Sequence, residues 1–233
     1  MTNNEKFRHE FKYWCSQAQL AMLEGRLSAL MKHDKHAING RYSIRSMYFD
    51  NYNNRCFYEN ENGVSPREKY RIRIYNASSD RISLECKRKE GDKTYKTSCL
   101  LSMDDYNQLL SGGSFDDFDE KPEVLRKFIL LQRTQFFKPA VIVEYERTPY
   151  IYETGNVRVT LDMNIRSSND FSRFFSSDLF AREIMPKGQH LLEVKYDELL
   201  PDYIRSVLEI SALQRTTFSK YYLCRKYSLG GKL

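Results

Sequence analysis

Tyr70-Arg71-Ile72-Arg73-Ile74-Tyr75 alternates arginine with isoleucine, and this alternation decides how the chain folds. Successive side chains on a β-strand point to opposite faces, so Arg71 and Arg73 share one face and Ile72 and Ile74 the other. The same spacing recurs outward along the chain. It appears in Glu10-Phe11-Lys12, in Glu85-Cys86-Lys87 with Lys89, in Arg158-Val159-Thr160-Leu161-Asp162 and in Glu193-Val194-Lys195. Each segment predicts a strand with one charged face and one largely apolar face. On an open sheet the charged face would meet water, where cross-strand Glu–Lys pairs contribute about 0.2–1 kcal/mol each. The excess of arginine and lysine on so many strands points instead to a closed barrel around a polyanion. Such charges cannot pack into a dry core, because an unpaired buried charge is strongly unfavourable.

Strands are expected at Phe7 to Cys15, Tyr42 to Asp50, Lys69 to Tyr75, Ile82 to Arg88, Thr94 to Leu100, Ala140 to Tyr145, Val157 to Ile165 and His190 to Tyr196. A first helix starts from the N-cap Ser16 and carries Leu20, Leu23, Leu27, Leu30 and Met31 at helical spacing. A second has Asp104 and Asp105 in its first turn, where negative charge suits the helix dipole, and ends at Gly112-Gly113. A third covers Val124 to Arg133. Pro201 opens a fourth with Ile204, Val207, Leu208 and Ile210 on its apolar face. Asn51-Tyr52-Asn53-Asn54 and Glu59 to Pro66 read as turn and loop, and the basic, aromatic stretch Thr216 to Tyr227 receives no element. With no internal repeat or long linker, one domain over residues 1–233 is expected.

Hydrophobic residues make up 41% of the chain, enough for a sizeable core. The net charge of +6 is modest, so the placement of charge says more than its sum. No stretch approaches the roughly 20 apolar residues that span a membrane, and Met1-Thr2-Asn3-Asn4-Glu5-Lys6 is no signal peptide. A soluble, cytoplasmic protein is expected. Five cysteines, an odd number without close pairing, read as reduced thiols. His9, His33, His36 and His190 lack metal-ligand spacing. The absence of a glycine-rich phosphate loop excludes a P-loop kinase, and no nucleic acid partner is expected.

Arginine forks bind phosphate oxygens through two parallel hydrogen bonds, while lysine supplies a compact movable charge. Arg71 and Arg73 would therefore clamp adjacent phosphates, with Lys12, Lys87, Lys89, Arg147, Arg158, Lys195 and Lys220 extending the track. Close together among like charges, the two arginines are expected to repel one another until a polyanion binds.

The ordered motifs carry a family resemblance. They are Arg8-His9-Glu10-Phe11-Lys12-Tyr13, Arg45-Ser46-Met47-Tyr48-Phe49-Asp50, Tyr70 to Tyr75, Glu85-Cys86-Lys87, Glu144-Tyr145-Glu146-Arg147, Arg158 to Asp162, Glu193-Val194-Lys195-Tyr196 and Phe218-Ser219-Lys220-Tyr221. Together they resemble the VTC domain, the polyphosphate polymerase branch of the triphosphate tunnel metalloenzymes in the CYTH-like superfamily. The resemblance implies an α+β fold: a closed antiparallel β-barrel tunnel of about eight strands with helices packed outside. It also implies transfer of the terminal phosphoryl group of a nucleoside triphosphate, with ATP the expected donor, onto a polyphosphate chain, with Mn2+ or Mg2+ as cofactor.

Carried over, Arg71, Arg73, Lys87 and Lys220 are the implied catalytic residues, and Lys12, Arg147, Arg158, Lys195 and Ser219 the implied substrate ligands. Glu193 is the implied metal ligand, with Glu10, Glu85 and Asp162 next in line. Two positions depart from the pattern. Arg8 stands where hydrolytic members place the first glutamate of Glu-x-Glu-x-Lys, which fits the polymerase branch better. Thr217 stands where some polymerases carry a lysine. The alternatives are hydrolysis of tripolyphosphate or a nucleoside triphosphate, and a non-catalytic polyphosphate-binding module. Any export of polymer would need a separate membrane partner.

Overall fold

Every segment of alternating charge forms a strand in the computed structural model, which describes residues 9–91, 93–209 and 213–230. The chain opens with β1 (His9–Ser16), α1 (Gln17–Leu30), β2 (Lys32–His33), β3 (Tyr42–Asp50) and α2 (Arg55–Glu61). There follow β4 (Arg67–Tyr75), β5 (Ile82–Glu90), β6 (Lys93–Leu101), α3 (Met103–Ser111), α4 (Glu123–Gln135), β7 (Lys138–Tyr152) and β8 (Val157–Ser168). The last elements are β9 (Arg182–Glu183), β10 (Gln189–Tyr196), α5 (Asp202–Leu208), β11 (Gln214–Arg215) and α6 (Lys220–Ser228). Each of the eight expected strands has its counterpart. β2, β9 and β11 are two-residue strands too short to show a period. Arg8, Phe7 and Ile210 lie outside the described residues.

Local chemistry sets the expected helix ends. Ser16 caps α1 through a capping box, its hydroxyl accepting from Gln19 N at 3.3 Å while Gln19 Oε1 accepts from Ser16 N at 2.8 Å. Ser102 and Asp105 do the same for α3, which stops at Gly112 in the left-handed region. The unexpected helix α2 has no such cap at Asn54. Its first N–H groups are satisfied from outside: Cys56 N and Phe57 N donate to the Asp50 carboxylate at 2.8 and 3.2 Å. Asp50 also accepts from Tyr221 Oη at 2.7 Å, which ties down α6, the other unexpected helix.

The strand order is β11-β1-β10-β8-β7-β3-β4-β5-β6, with β2 on β7 and β9 on β8. The pairs β1–β10, β10–β8, β3–β4, β4–β5 and β5–β6 are antiparallel. The order ends at β11 and β6, so no hydrogen bonds close the sheet among the described residues. What stands of the expected barrel is a large antiparallel sheet combined with helices.

The chain divides into two units. The first comprises residues 1–43, 145–165 and 185–218. Its core is the apolar face of β1, β8 and β10 (Cys15, Val159, Leu161, Leu192, Val194) under Leu20, Leu23 and Leu27 of α1 and Ile204 of α5. Full burial stabilises each such side chain by about 1.5–3 kcal/mol. Leu30, expected on the same stripe, is exposed, and Met31 at the C-cap takes the buried place instead.

The second unit comprises residues 44–144, 166–184 and 219–233. Met47, Phe49, Tyr70, Ile72 and Leu84 are buried in it. Phe128 of α4 packs on Phe49 and Tyr70, ring centroids 4.8 and 5.2 Å apart. Arg45 lies on this apolar side, fully paired: its Nε and Nη2 donate to Glu144 at 3.0 and 2.6 Å, and its Nη1 donates to the carbonyls of Phe174 and Ser176. All five cysteines are free. Burial pushes the thiols of Cys86 and Cys99 up to about 11 and that of Cys224 to about 12, which keeps them protonated and unreactive.

Candidate functional site

In the second unit, register arranges the charged side of β3 to β6 in rows. Arg73 lies opposite Ser46 and Ser83, and Arg71 lies opposite Tyr48 and Glu85. The next row is Lys69, Lys87 and Lys96, each directly opposite the next. Glu85 is the centre of this face. Buried to 4% exposure, it accepts from Arg71 Nε at 2.8 Å and Lys96 Nζ at 2.7 Å, and Arg73 Nη1 approaches to 3.9 Å. Burial alone would raise its carboxyl pKa. Arg71, Arg73 and Lys96 outweigh burial and hold it well below the usual carboxylate range.

The expected repulsion between Arg71 and Arg73 is therefore corrected: Glu85, set directly opposite Arg71 by the register, pairs with Arg71 and lies 3.9 Å from Arg73, offsetting part of their charge. Tyr48 Oη accepts from Arg71 Nη1 at 2.8 Å, and Ser46 Oγ accepts from Arg73 Nε at 3.2 Å. The Tyr48 ring sits 5.0 Å from that of Tyr221, over which Lys69 Nζ lies at 5.2 Å. Lys220 is the first residue of α6, and Ser219 is its N-cap, accepting from Tyr222 N at 3.3 Å.

In the first unit, the charged side of β1, β8 and β10 pairs cation with carboxylate. Lys12 Nζ lies 3.0 Å from Glu10 and donates to the Phe218 carbonyl at 3.1 Å. Arg147 grips Asp162 in a two-point fork, Nε to Oδ1 at 2.6 Å and Nη2 to Oδ2 at 2.8 Å, and Asp162 is wholly buried. Burial would lower the Arg147 pKa, but Asp162 outweighs it and keeps the guanidinium charged. Arg158 Nη2 donates to Asp34 and to Tyr42 Oη, both at 2.9 Å. Lys195 Nζ lies 2.6 Å from Glu193 and 3.9 Å from Glu10, so one ammonium reaches both carboxylates.

No group of three or more histidine, cysteine or carboxylate side chains placed to hold a metal ion occurs among the described residues. A Mg2+-type site needs only one or two carboxylates when phosphates supply the remaining oxygens. Glu193 and Glu10 fit that smaller requirement, since they already converge on a single cation. Thr160 faces Glu193 across β8, and its buried Oγ1 has no hydrogen-bond partner among the described residues. An oxygen in that position suits a hydrated cation.

The first unit thus brings together Lys12, Arg147, Arg158, Lys195, Glu10, Glu193 and Asp162. The second brings together Arg71, Arg73, Lys87 and Glu85, and separately carries Ser219 and Lys220 on α6. Sequence reading passed over Lys69, Lys96, Tyr48, Asp34 and Thr160. Lys69 was legible, standing two residues before Arg71 in the same alternation. Lys96 and Asp34 needed the fold, since nothing local ties them to Glu85 or Arg158.

A family model described as the VTC domain matches residues 7–229. Among solved structures, the PH1819 protein from Pyrococcus horikoshii OT3 is similar with a TM-score of 0.51 and 15% identity, over 95% of this chain and 99% of that one. A candidate adenylate cyclase from Bacillus halodurans is similar with a TM-score of 0.46 and 14% identity, over 88% of this chain and 87% of that one. The PH1012 protein from Pyrococcus horikoshii OT3 has a TM-score of 0.42 at 14% identity, over 87% and 86%. No curated protein matches. Among the described residues, no helix is long and apolar enough to cross a membrane.

Proposed function

Because the chain belongs to the VTC domain family, we propose that it is a metal-dependent polyphosphate polymerase. It transfers the terminal phosphoryl group of a nucleoside triphosphate, with ATP the expected donor, onto a polyphosphate chain in a basic tunnel. The observation that most supports this reading is the row Lys69, Lys87 and Lys96. Like charges directly opposite one another disfavour a sheet, and although Lys96 pairs with Glu85 and Lys69 lies over Tyr221, the row keeps a net positive charge that a polyphosphate would offset.

Phosphoryl transfer asks little covalent chemistry of the protein and much positioning and charge neutralisation. Arg71, Arg73 and Lys87 bind the transferred phosphoryl region. Glu85 and Tyr48 fix the Arg71 guanidinium so that little side-chain entropy is lost on binding. Lys220 and Lys12 guide the polymer. Arg147, already engaged with Asp162, holds that carboxylate and supports Glu193 at 3.7 Å. Glu193, with Glu10, would hold Mn2+ or Mg2+ in place of the Lys195 ammonium, and the cation would offset negative charge on phosphate oxygens. The reaction is expected in the cytoplasm, with any export left to a separate membrane partner.

Incubation with ATP and Mn2+, resolving polymer, free phosphate and residual ATP on one gel, tests the reading. Polymer is the expected product. Free phosphate without polymer would make the protein a hydrolase, and unchanged ATP together with tight polyphosphate binding would make it a binding module. Glu193→Gln keeps the size of the side chain but removes its charge. Metal-dependent turnover should fall sharply in that variant while metal-free triphosphate binding survives.

A further inference from the structure

Trp14 stands two residues beyond Lys12 on β1, so both side chains share the charged face. They meet at a common neighbour. Lys12 Nζ donates to the Phe218 carbonyl, and the Trp14 ring meets the Phe218 ring in a T-shaped contact, centroids 4.8 Å apart. That contact fixes the plane of the indole. Around it lies a cavity of about 300 Å³ lined by Trp14, Cys15, Ser16, Gln19, Gln189 and Gln214. Gln214 is held beside Trp14 by the β1–β11 pairing, and Gln189 stands opposite Ser16 across β10.

The lining differs in kind from the rest of this face. Glu10, Lys12, Glu193 and Lys195 are ionised groups arranged in pairs. Two positions further on, no lining side chain carries a formal charge. In their place are one flat aromatic surface and side-chain amides, each offering both a donor and an acceptor. A phosphate gains little from such a site. A nucleobase suits it, because its face stacks on indole and its edge presents donors and acceptors that a glutamine amide can match. The size agrees: 300 Å³ is at the small end of ligand pockets, enough for one ring system and not for a whole nucleotide. The spacing agrees too. Two residues along a strand cover about 6.8 Å, roughly the reach of a ribose between base and first phosphate.

We propose that this cavity takes the nucleobase of the triphosphate donor, stacked on Trp14 with its edge read by the amides of Gln189 and Gln214. The assignment rests on the triphosphate reading above and extends it: the phosphates are held by charge, while the base is held by an uncharged pocket at the end of β1. Nucleoside triphosphates should therefore bind more tightly than inorganic tripolyphosphate of equal phosphate length.

Trp14 is the single tryptophan of the chain, so its emission reports on the cavity directly. The full chain would be titrated with ATP, adenosine and tripolyphosphate, exciting at the red edge of tryptophan absorption where nucleotides do not absorb. ATP and adenosine should quench or shift the emission, and saturating tripolyphosphate should leave it nearly unchanged. Gln189→Ala and Gln214→Ala alter exposed side chains and should each weaken the ATP response about three- to tenfold, the scale of one neutral hydrogen bond. The thermal upshift with tripolyphosphate should be the same in both variants as in wild type. An equal emission change with ATP and tripolyphosphate would mean that Trp14 senses phosphate, and would overturn the assignment. Silent emission while ATP raises the melting temperature would place the base elsewhere and leave the phosphate reading standing. If tripolyphosphate and ATP both fail to bind, the phosphate reading falls, and adenosine alone still decides the base site by quenching or not.

Discussion

The two charged faces grow from the same sequence alternation but are balanced differently. In the first unit four cations meet four carboxylates: Lys12 with Glu10, Arg147 with Asp162, Arg158 with Asp34 and Lys195 with Glu193. In the second, the three rows centred on Lys87, Glu85 and Ser83 hold five cations (Lys69, Lys87, Lys96, Arg71 and Arg73) and one carboxylate, Glu85. A balanced face is self-sufficient when empty. A face with five cations to one carboxylate carries a net positive charge, and an incoming polyanion that offsets it stabilises the native state. Under the proposed function the two faces differ in work: the first sets carboxylates for the cation, and the second supplies most of the charge expected to meet phosphate.

The sharpest way to break this comparison is to unbalance the first face. Arg147→Ala leaves Asp162 wholly buried without its fork, and such a loss costs about 3–5 kcal/mol. Urea denaturation should show it, and a loss under about 1 kcal/mol would mean that the pair does little for stability. The next largest effect belongs to the second face. Tripolyphosphate at a hundredfold excess over its Kd should stabilise the native state by about 2.7 kcal/mol. The melting temperature should rise beyond that in chloride of equal ionic strength, and Lys87→Ala should lose most of the rise. A full upshift in that variant would move the phosphate site off the lysine row.

A smaller effect separates the faces by pH. The Glu85 carboxyl titrates well below its ordinary range in the folded state, held there by Arg71, Arg73 and Lys96 against burial. The unfolded chain therefore binds its proton first. The stability that Glu85 contributes is complete above the unfolded carboxyl pKa, about 4.3. It is lost as pH falls below that value toward the folded pKa. Wild type should lose stability on acidification more steeply than Glu85→Gln, as read by chemical melts at a series of pH values, and parallel curves would deny Glu85 its role. The smallest expected effect is on the empty protein. Lys87→Ala removes the middle of three opposed lysines together with the contact Lys87 makes, and these opposing effects should leave stability within about 1 kcal/mol of wild type. A clear loss would show that Lys87 has a structural partner worth more than the repulsion it causes.

The same reasoning replaces an expectation drawn from sequence. Arg71 and Arg73, read as neighbours of like charge, are expected from sequence to repel one another in the empty fold. Glu85, buried between them and Lys96, makes them ion-pair partners, so removing both arginines should destabilise the protein whether or not ligand is present. Lys87 is therefore the better probe of binding. What misled the sequence reading was register. The triplet Glu85-Cys86-Lys87 shows that Glu85 and Lys87 share a face, but not that Glu85 meets Arg71 while Lys87 meets Lys69 and Lys96.

The amino-acid sequence by itself determined the eight longer strands, the sidedness of each and the capped helices α1 and α3. Those features follow from backbone geometry and from hydrogen bonds that reach three or four residues. It also supplied the ordered motifs that the VTC domain match confirms. Only the tertiary structure decided α2 and α6, which depend on Asp50 for a cap and an anchor supplied from β3. It decided, too, which cation meets which carboxylate across strands. Periodicity fixes the direction in which a side chain points, a property of one strand. Pairs inside one triplet, Lys12 with Glu10 and Lys195 with Glu193, follow from that spacing, whereas partnership across elements, as of Arg71 with Glu85 or Arg158 with Asp34, is set by register and tertiary packing, and no local spacing encodes it.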